Sequence, residues 1–198
     1  MTSPRFIGLI LAGGRSRRMG SDKAFVTLNG QPLLRHVMAR LAPQVDTLVI
    51  NSNADPKDFS RFGAPVIPDR LTGYLGPLAG VHAGLSTYPH DFVLTVAVDL
   101  PFLPPDLAPR LREQLDGERC PYAGDGRNHA LAILWPPGMA PQIEDFLQQG
   151  QHSLHAWLTQ HGQPVIFAAT SNGNVMFNLN TPEDLRRAEI FCAPQASN

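Results

Sequence analysis

The chain has 198 residues, 43% of them hydrophobic and 17% charged, with a formal net charge of −1. That is a globular composition, with enough chain for a sheet covered by helices on both faces. A charge so close to zero argues against a nucleic-acid-binding or anionic-membrane surface, both of which need a strong basic excess, while leaving room for a local basic pocket. Cys120 and Cys192 form no CxxC pair and read as reduced thiols, which points to the cytoplasm. The apolar run from Phe6 to Ala12 lacks a basic leader and a cleavage site and flows straight into glycines, so it reads as a strand rather than a signal peptide. No stretch is long enough to cross a bilayer.

Phe6 to Leu11 is almost wholly apolar, the pattern of a parallel strand buried on both faces. A glycine- and arginine-rich loop follows, from Gly13 to Lys23. Pro32 then opens an amphipathic helix with Leu33, Leu34, Val37, Met38 and Leu41 on one face. Thr47 to Ile50 is a second buried strand, ending in Asn51-Ser52-Asn53. A short helix is expected over Pro56 to Arg61, then a short edge strand over Pro65 to Pro68 that ends at Asp69. Gly76-Pro77-Leu78-Ala79-Gly80 leads into a helix that continues to about Thr87. Phe92 to Val98 is the strongest central strand and ends at Asp99-Leu100-Pro101. Leu107, Leu111 and Leu115 then recur at helical spacing.

The pattern is less regular after Cys120. Ala130 to Trp135 reads as a strand, with the segment near Tyr122 as its candidate partner. Helices are expected at about 139–149 and 153–161, and strands near Val165–Ala168 and Val175–Leu179. Thr181 caps a last helix that runs to about Phe191, with Pro182 in its first turn and Glu183 and Asp184 where the helix dipole favours acids. The tail, residues 193–198, is expected to be frayed and disordered. This alternation predicts one α/β domain over residues 1–192, Rossmann-like and doubly wound around a mostly parallel sheet. Ligands of such sheets bind beyond the carboxyl ends of the strands. Four predicted strands end there in polar residues: the glycine loop, Asn51, Asp69 and Asp99.

Those residues suit a nucleoside triphosphate. Paired glycines after a buried strand let backbone N–H groups approach an anion, and Arg15, Arg17, Arg18 and Lys23 bring mobile positive charge to the same loop. The loop is neither GxxxxGK[ST] nor GxGxxG, which excludes the Walker A and NAD-type readings. Asp99 stands rigidly at the end of the central strand, as a hard oxygen ligand for Mg²⁺ would. Its alternative is a helix cap or turn. Asn51 and Asp69 could meet ribose hydroxyls or a base edge, or could simply build their own turns. Asn178 and Asn180 have a polar turn as their alternative. His152, His155 and His161 lie on a polar stretch with no Cys or carboxylate cluster, which argues against zinc.

The string Leu11-Ala12-Gly13-Gly14-Arg15-Ser16-Arg17-Arg18-Met19-Gly20-Ser21-Asp22-Lys23 resembles the LAGGxSxRMGxDK signature of the molybdenum cofactor guanylyltransferases, within the wider nucleotidyltransferase family. Asn51 and Asn53, Pro68-Asp69, Gly76 to Gly80, Asp99-Leu100-Pro101 and Asn178 to Asp184 are similar to further motifs of that family, in its order. The segment with Asp125-Gly126 and His129 departs from it by placing Ala130 where the family has proline.

The resemblance implies a nucleotide-binding half at about 5–118 and an acceptor-side half at about 119–192. It also implies Mg²⁺-dependent transfer of GMP from GTP to the phosphate of molybdenum-molybdopterin, with pyrophosphate as the other product. Asp99 would bind the metal, and Arg18 and Lys23 would stabilise the triphosphate. Leu11, Ala12, Gly13, Lys23, Asn51, Asp69 and Asp99 would contact GTP, with Gly76 and Gly80 letting a helix N-terminus close over it. Asn178 and Asn180 would lie on the acceptor side. Cofactor-insertion proteins are expected as further partners. The rival readings are the same chemistry with CTP or a sugar 1-phosphate, and a non-catalytic GTP-binding protein.

Overall fold

The computed structural model describes residues 3–13, 22–73, 75–124, 132–167 and 176–192. Six uncharged residues form β1 (Phe6–Leu11). A small hairpin, β2 (Thr27–Leu28) and β3 (Gln31–Pro32), leads into α1 (Leu33–Leu41). Then come β4 (Thr47–Asn51), a 3-10 helix over Pro56–Phe62, β5 (Val66–Ile67), α2 (Pro77–Thr87), β6 (Phe92–Ala97) and α3 (Leu107–Arg112). The rest comprises β7 (Cys120–Gly124), β8 (Ala132–Trp135), α4 (Ala140–Gln148), α5 (Leu154–His161), β9 (Gly162–Ile166) and α6 (Pro182–Cys192).

Among the described residues, one seven-stranded sheet has the order β5-β4-β1-β6-β8-β7-β9. β8 alone runs antiparallel, to both of its neighbours, and its pairing of Tyr122 with Ile133 is the one expected from sequence. The other pairs are parallel. Because strand side chains alternate, one sheet can feed two cores. Ile10, Ile50, Leu94 and Val96 face α1 and α3, with Phe59 and Phe62 beside them. Ile7, Leu9, Val49, Val93 and Ile133 face α2, α4 and α5, where Trp135 and Trp157 supply much of the bulk. The sheet is thus covered on both faces, as the alternating pattern requires. Burial pushes the Cys120 thiol up to about 12, so it behaves as a small core residue. Among the described residues, no helix is long and apolar enough to cross a membrane.

Several local expectations change. Leu33 turns away from the main face of α1 and joins a small cluster with Leu28, Leu179 and Ala188. The hairpin before α1 turns on Asn29 (φ 50°) and Gly30 (φ 76°), the left-handed pair that a tight two-residue turn demands. The helix after Asp106 ends at Arg112, and the amides of Gln114 and Leu115 then bond back only three residues. β9 begins at Gly162 because its whole length pairs with β7.

No strand forms over Met176–Leu179. Met176 fills the α1-side core while Leu179 fills the small cluster, so their apolar spacing reflects two burial sites rather than one strand face. Ala130, Leu131, Ala168, Val175 and the tail 193–198 lie outside the described residues.

Trp135 is fully buried, and its indole N–H donates to the Thr95 hydroxyl at 2.9 Å in the adjacent strand. Trp135→Ala should cost about 3–5 kcal/mol, the range for emptying a large aromatic site. Urea unfolding of the two proteins checks this.

Candidate active site

The chain leaves β1 for β4 and β5 on one side, then crosses back to β6 on the other. The carboxyl ends of β1 and β6 therefore flank the point where the winding reverses, which is where a parallel sheet opens a crevice. Asp99 lies in the turn just past β6. The Val98 amide donates to Leu11 O (3.2 Å), and the Leu100 amide closes back on Ala97 O (3.2 Å). Val98 and Leu100 are buried on either side, so the turn cannot drift.

Lys23 reaches Asp99 from the far end of the glycine loop. It opens a short 3-10 helix, Lys23–Phe25, capped by the Asp22 carboxylate and pinned by Phe25 packing on Phe59, with ring centroids 5.2 Å apart. Burial pushes the Asp22 carboxyl up from its ordinary value, and the Ala24 N–H draws it partly back. The Lys23 ammonium donates to Asp99 Oδ2 at 2.7 Å and to Asn180 Oδ1 at 2.6 Å. With side chains only 20% and 12% exposed, Lys23 and Asp99 form a pair largely withdrawn from solvent screening. Asp99 Oδ1 is buried and has no hydrogen-bond partner, as is Asn178 Oδ1. A buried carboxylate oxygen in that state is an acceptor available to a cation. The carboxylate caps no helix: α3 begins after Asp106.

Asn180 is held in turn. Asp184 Oδ2 accepts from the Asn180 amide (3.1 Å), the Thr181 amide (2.9 Å) and the Thr181 hydroxyl (2.9 Å), while the Asp184 amide donates to the Thr181 hydroxyl (3.1 Å). This is a reciprocal capping box, with Thr181 as the cap that the sequence predicts. Burial raises the Asp184 pKa, but the hydrogen bonds outweigh it and hold the carboxyl below its ordinary value. One residue earlier, the Leu179 amide donates to Asp99 O (2.9 Å), joining this loop to the end of β6.

On the other side of β1 lies a cleft of about 650 Å³, a volume suited to a nucleotide. Asn51 and Asp69 form its wall. The Asn51 amide donates to Asp69 Oδ1 (3.0 Å) and Ile67 O (3.2 Å), the Asn53 amide donates to Asp69 Oδ2 (2.7 Å), and the Asp69 amide donates to Asn53 Oδ1 (2.8 Å). Asn51 is buried and fixed, so it presents a rigid amide. Gly76 starts α2 at the rim with a left-handed φ of 69°. Gly80 lies one turn on. A Cβ there would collide with the Asn51 side-chain oxygen, so this glycine makes room for the amide as well as bringing the helix close.

Of the predicted residues, Lys23, Asp99 and Asn180 meet in one cluster, whereas Leu11, Gly13, Asn51 and Asp69 line the cleft. Ala12 is buried, and its amide donates to Asn51 O (2.9 Å). Arg18, with the rest of residues 14–21, and the Asp125–His129 segment lie outside the described residues. Asp22, Leu71 and Leu75 also line the cleft. Sequence reading missed them as site residues. Two leucines in a loop otherwise rich in glycine and charge were the available signal for the last two. Among the described residues, no group of three or more His, Cys, Asp or Glu could hold a metal.

The family model for the MobA-like NTP transferase domain matches residues 8–165. A molybdenum cofactor guanylyltransferase of Cereibacter sphaeroides is 43% identical over 196 residues, covering 97% of this chain and 100% of the relative. One from Rhizobium meliloti is 39% identical, with 92% and 90% covered. Among solved structures, the molybdopterin-guanine dinucleotide biosynthesis protein A of Archaeoglobus fulgidus aligns with a TM-score of 0.79 at 26% identity, covering 96% of this chain and 100% of that one. The CTP:phosphocholine cytidylyltransferase of Streptococcus pneumoniae shares the fold at a TM-score of 0.62 and 14% identity, with 94% and 98% covered. With matches over nearly its whole length and strand ends that build a nucleotide-sized cleft, this chain belongs to the MobA-like NTP transferase family.

Proposed function

We propose that this chain is a cytoplasmic guanylyltransferase that moves the GMP unit of GTP onto the terminal phosphate of molybdenum-molybdopterin. The observation that carries this reading is the near full-length likeness to a protein named for that activity, in a chain that sets Asp99 and Lys23 together at the crevice. An oxygen of the acceptor phosphate attacks the α-phosphorus of GTP. The new P–O bond forms as the bond to the β-phosphate bridge breaks, and pyrophosphate leaves. The attacking phosphate is already ionised, so the protein needs no strong base. Its work is positioning and charge neutralisation.

Asp99 is the residue to hold a divalent cation, proposed as Mg²⁺, through its unpartnered oxygen. A single carboxylate fits that ion, which keeps waters and takes phosphate oxygens for its other positions. When bound, the cation would supply charge compensation at the α-phosphate and on the departing pyrophosphate. Lys23 and, from the sequence, Arg18 supply mobile positive charge for the triphosphate. Asn51 and Asp69 are proposed to read the nucleoside, since each carboxylate oxygen of Asp69 keeps a second lone pair after accepting its asparagine amide. Leu71 and Leu75 give the cleft apolar walls for the base. Asn178 is proposed to lie on the acceptor side.

Purified protein offered each nucleoside triphosphate, with Mg²⁺ and molybdopterin, should release pyrophosphate preferentially with GTP. Equal turnover with CTP would remove the guanine assignment. Asp99→Asn keeps the size and removes the charge, so pyrophosphate release should nearly vanish while the protein stays folded, with Tm lowered as the Lys23 ammonium loses its charged partner. Coincident rates across a Mg²⁺ series would show that Asp99 holds no metal.

Gly80→Ala separates binding from folding. Alanine favours the helix by about 1 kcal/mol, offsetting one of the hydrogen bonds lost as the Asn51 amide is pushed aside. GTP affinity should fall roughly tenfold, the scale of one or two lost hydrogen bonds, with little change in Tm. Calorimetric titration beside a thermal melt reads both.

A further inference from the structure

We propose that Lys23 is a resident counter-cation of Asp99, parked there by Asn180, and that a divalent cation binding the free carboxylate oxygen competes with it electrostatically. Triphosphate and metal then bind in a linked way, through one lysine. This rests on the reading of Asp99 as the metal-holding residue.

The parked position is built from three separate segments. Lys23 comes from the 3-10 helix after the glycine loop, Asp99 from the end of β6, and Asn180 from the loop before α6. Asn180 is exposed, but its backbone N–H is tied into the capping box at Asp184 Oδ2, so its side chain projects from a fixed point. The ammonium has two acceptors at 2.7 and 2.6 Å. The Asp99 carboxylate is left with one oxygen paired and the other buried and unpartnered.

A half-buried ammonium and a divalent cation sharing one carboxylate repel each other in a region that water screens poorly. The metal alone must therefore bind Asp99 Oδ1 against that repulsion, or drive out the lysine and forfeit its two contacts. A triphosphate changes that balance. It offers the ammonium several anionic oxygens, and the flexible lysine stem lets the charge move to them while the carboxylate is vacated. Lys23 would thus serve Asp99 before the nucleotide arrives and the phosphates afterwards. Linkage is reciprocal, so whatever lowers the lysine's hold on Asp99 must raise the affinity of the nucleotide-free protein for metal.

Mn²⁺, whose free ion is read by electron paramagnetic resonance, is the probe, titrated into the full chain without nucleotide. Lys23→Met keeps most of the stem and removes the charge. It should bind Mn²⁺ roughly tenfold more tightly than the parent, the scale of releasing a partly buried ion pair. Lys23→Ala serves as a second charge-removing variant, and Lys23→Arg should bind as the parent does. Asn180→Ala should fall between the parent and Lys23→Met, and adding Asp99→Asn to Lys23→Met should abolish the gain.

Equal or weaker Mn²⁺ binding by folded Lys23→Met and Lys23→Ala overturns the proposal while leaving Asp99 as a metal ligand. Parent-like binding by Asn180→Ala overturns the parking role of Asn180. If Lys23→Met carrying Asp99→Asn binds Mn²⁺ as tightly as Lys23→Met alone, the Asp99 reading fails, and this proposal fails with it.

Discussion

The site depends on the parallel register of β1 with β6. Leu11 stands opposite Ala97, so the strand that leads into the glycine loop and the strand that leads into the Asp99 turn leave the sheet side by side. Parallel strands cannot be joined by a tight turn. The chain between them must therefore travel across a face of the sheet, and in doing so it lays down α1, β4, β5 and α2. Those elements bury both faces of the central strands, and they also carry Asn51, Asp69 and Gly80 to the same edge. One pairing thus accounts for the core, the crevice and most of its lining.

Beyond β6 the sheet changes character. β8 enters antiparallel, and β7 and β9 restore the original direction on its outer side. Among the described residues, this half contributes none to the cleft lining. Among the described residues, it returns to the crevice through the irregular segment 176–181, tied to the end of β6 by the Leu179 amide on Asp99 O. The nucleotide wall is thus built by the N-terminal half, whereas the charged cluster joins Lys23 and Asp99 of that half to Asn180 of the other.

Much of this was legible in the residues. Phe6–Leu11 and Phe92–Val98 are continuous apolar runs because central parallel strands are buried on both faces, and that signal survives without an alignment. Asp99 and the glycine loop could be placed at the crevice because strand ends are where a buried run meets its first polar residue. The hairpin at Asn29-Gly30 carried its own sign in the left-handed pair, but its strands are too short for periodicity to register. What could not be read was tertiary partnership. The mutual bonding of Asn51, Asn53 and Asp69, and the fit of the Asn51 amide against the bare face of Gly80, involve residues whose side chains have no local reason to meet. The apolar residues from Val175 to Leu179 misled for a related reason, since Met176 and Leu179 serve different cores.

The capping box before α6 has a consequence for the order in which the protein can assemble its working parts. Asn51 and Asp69 are 18 residues apart, so their wall can close as soon as β4 and β5 are available. Lys23 and Asp99 are separated by 76 residues, and Lys23 and Asn180 by 157. The entropy of closing such loops must be met by contacts that exist only once the sheet is complete. The charged centre therefore closes far longer loops than the nucleoside wall does. The lysine finds its second acceptor only when the start of the final helix has docked, so the fully parked lysine is the part of the crevice that waits for the end of the chain.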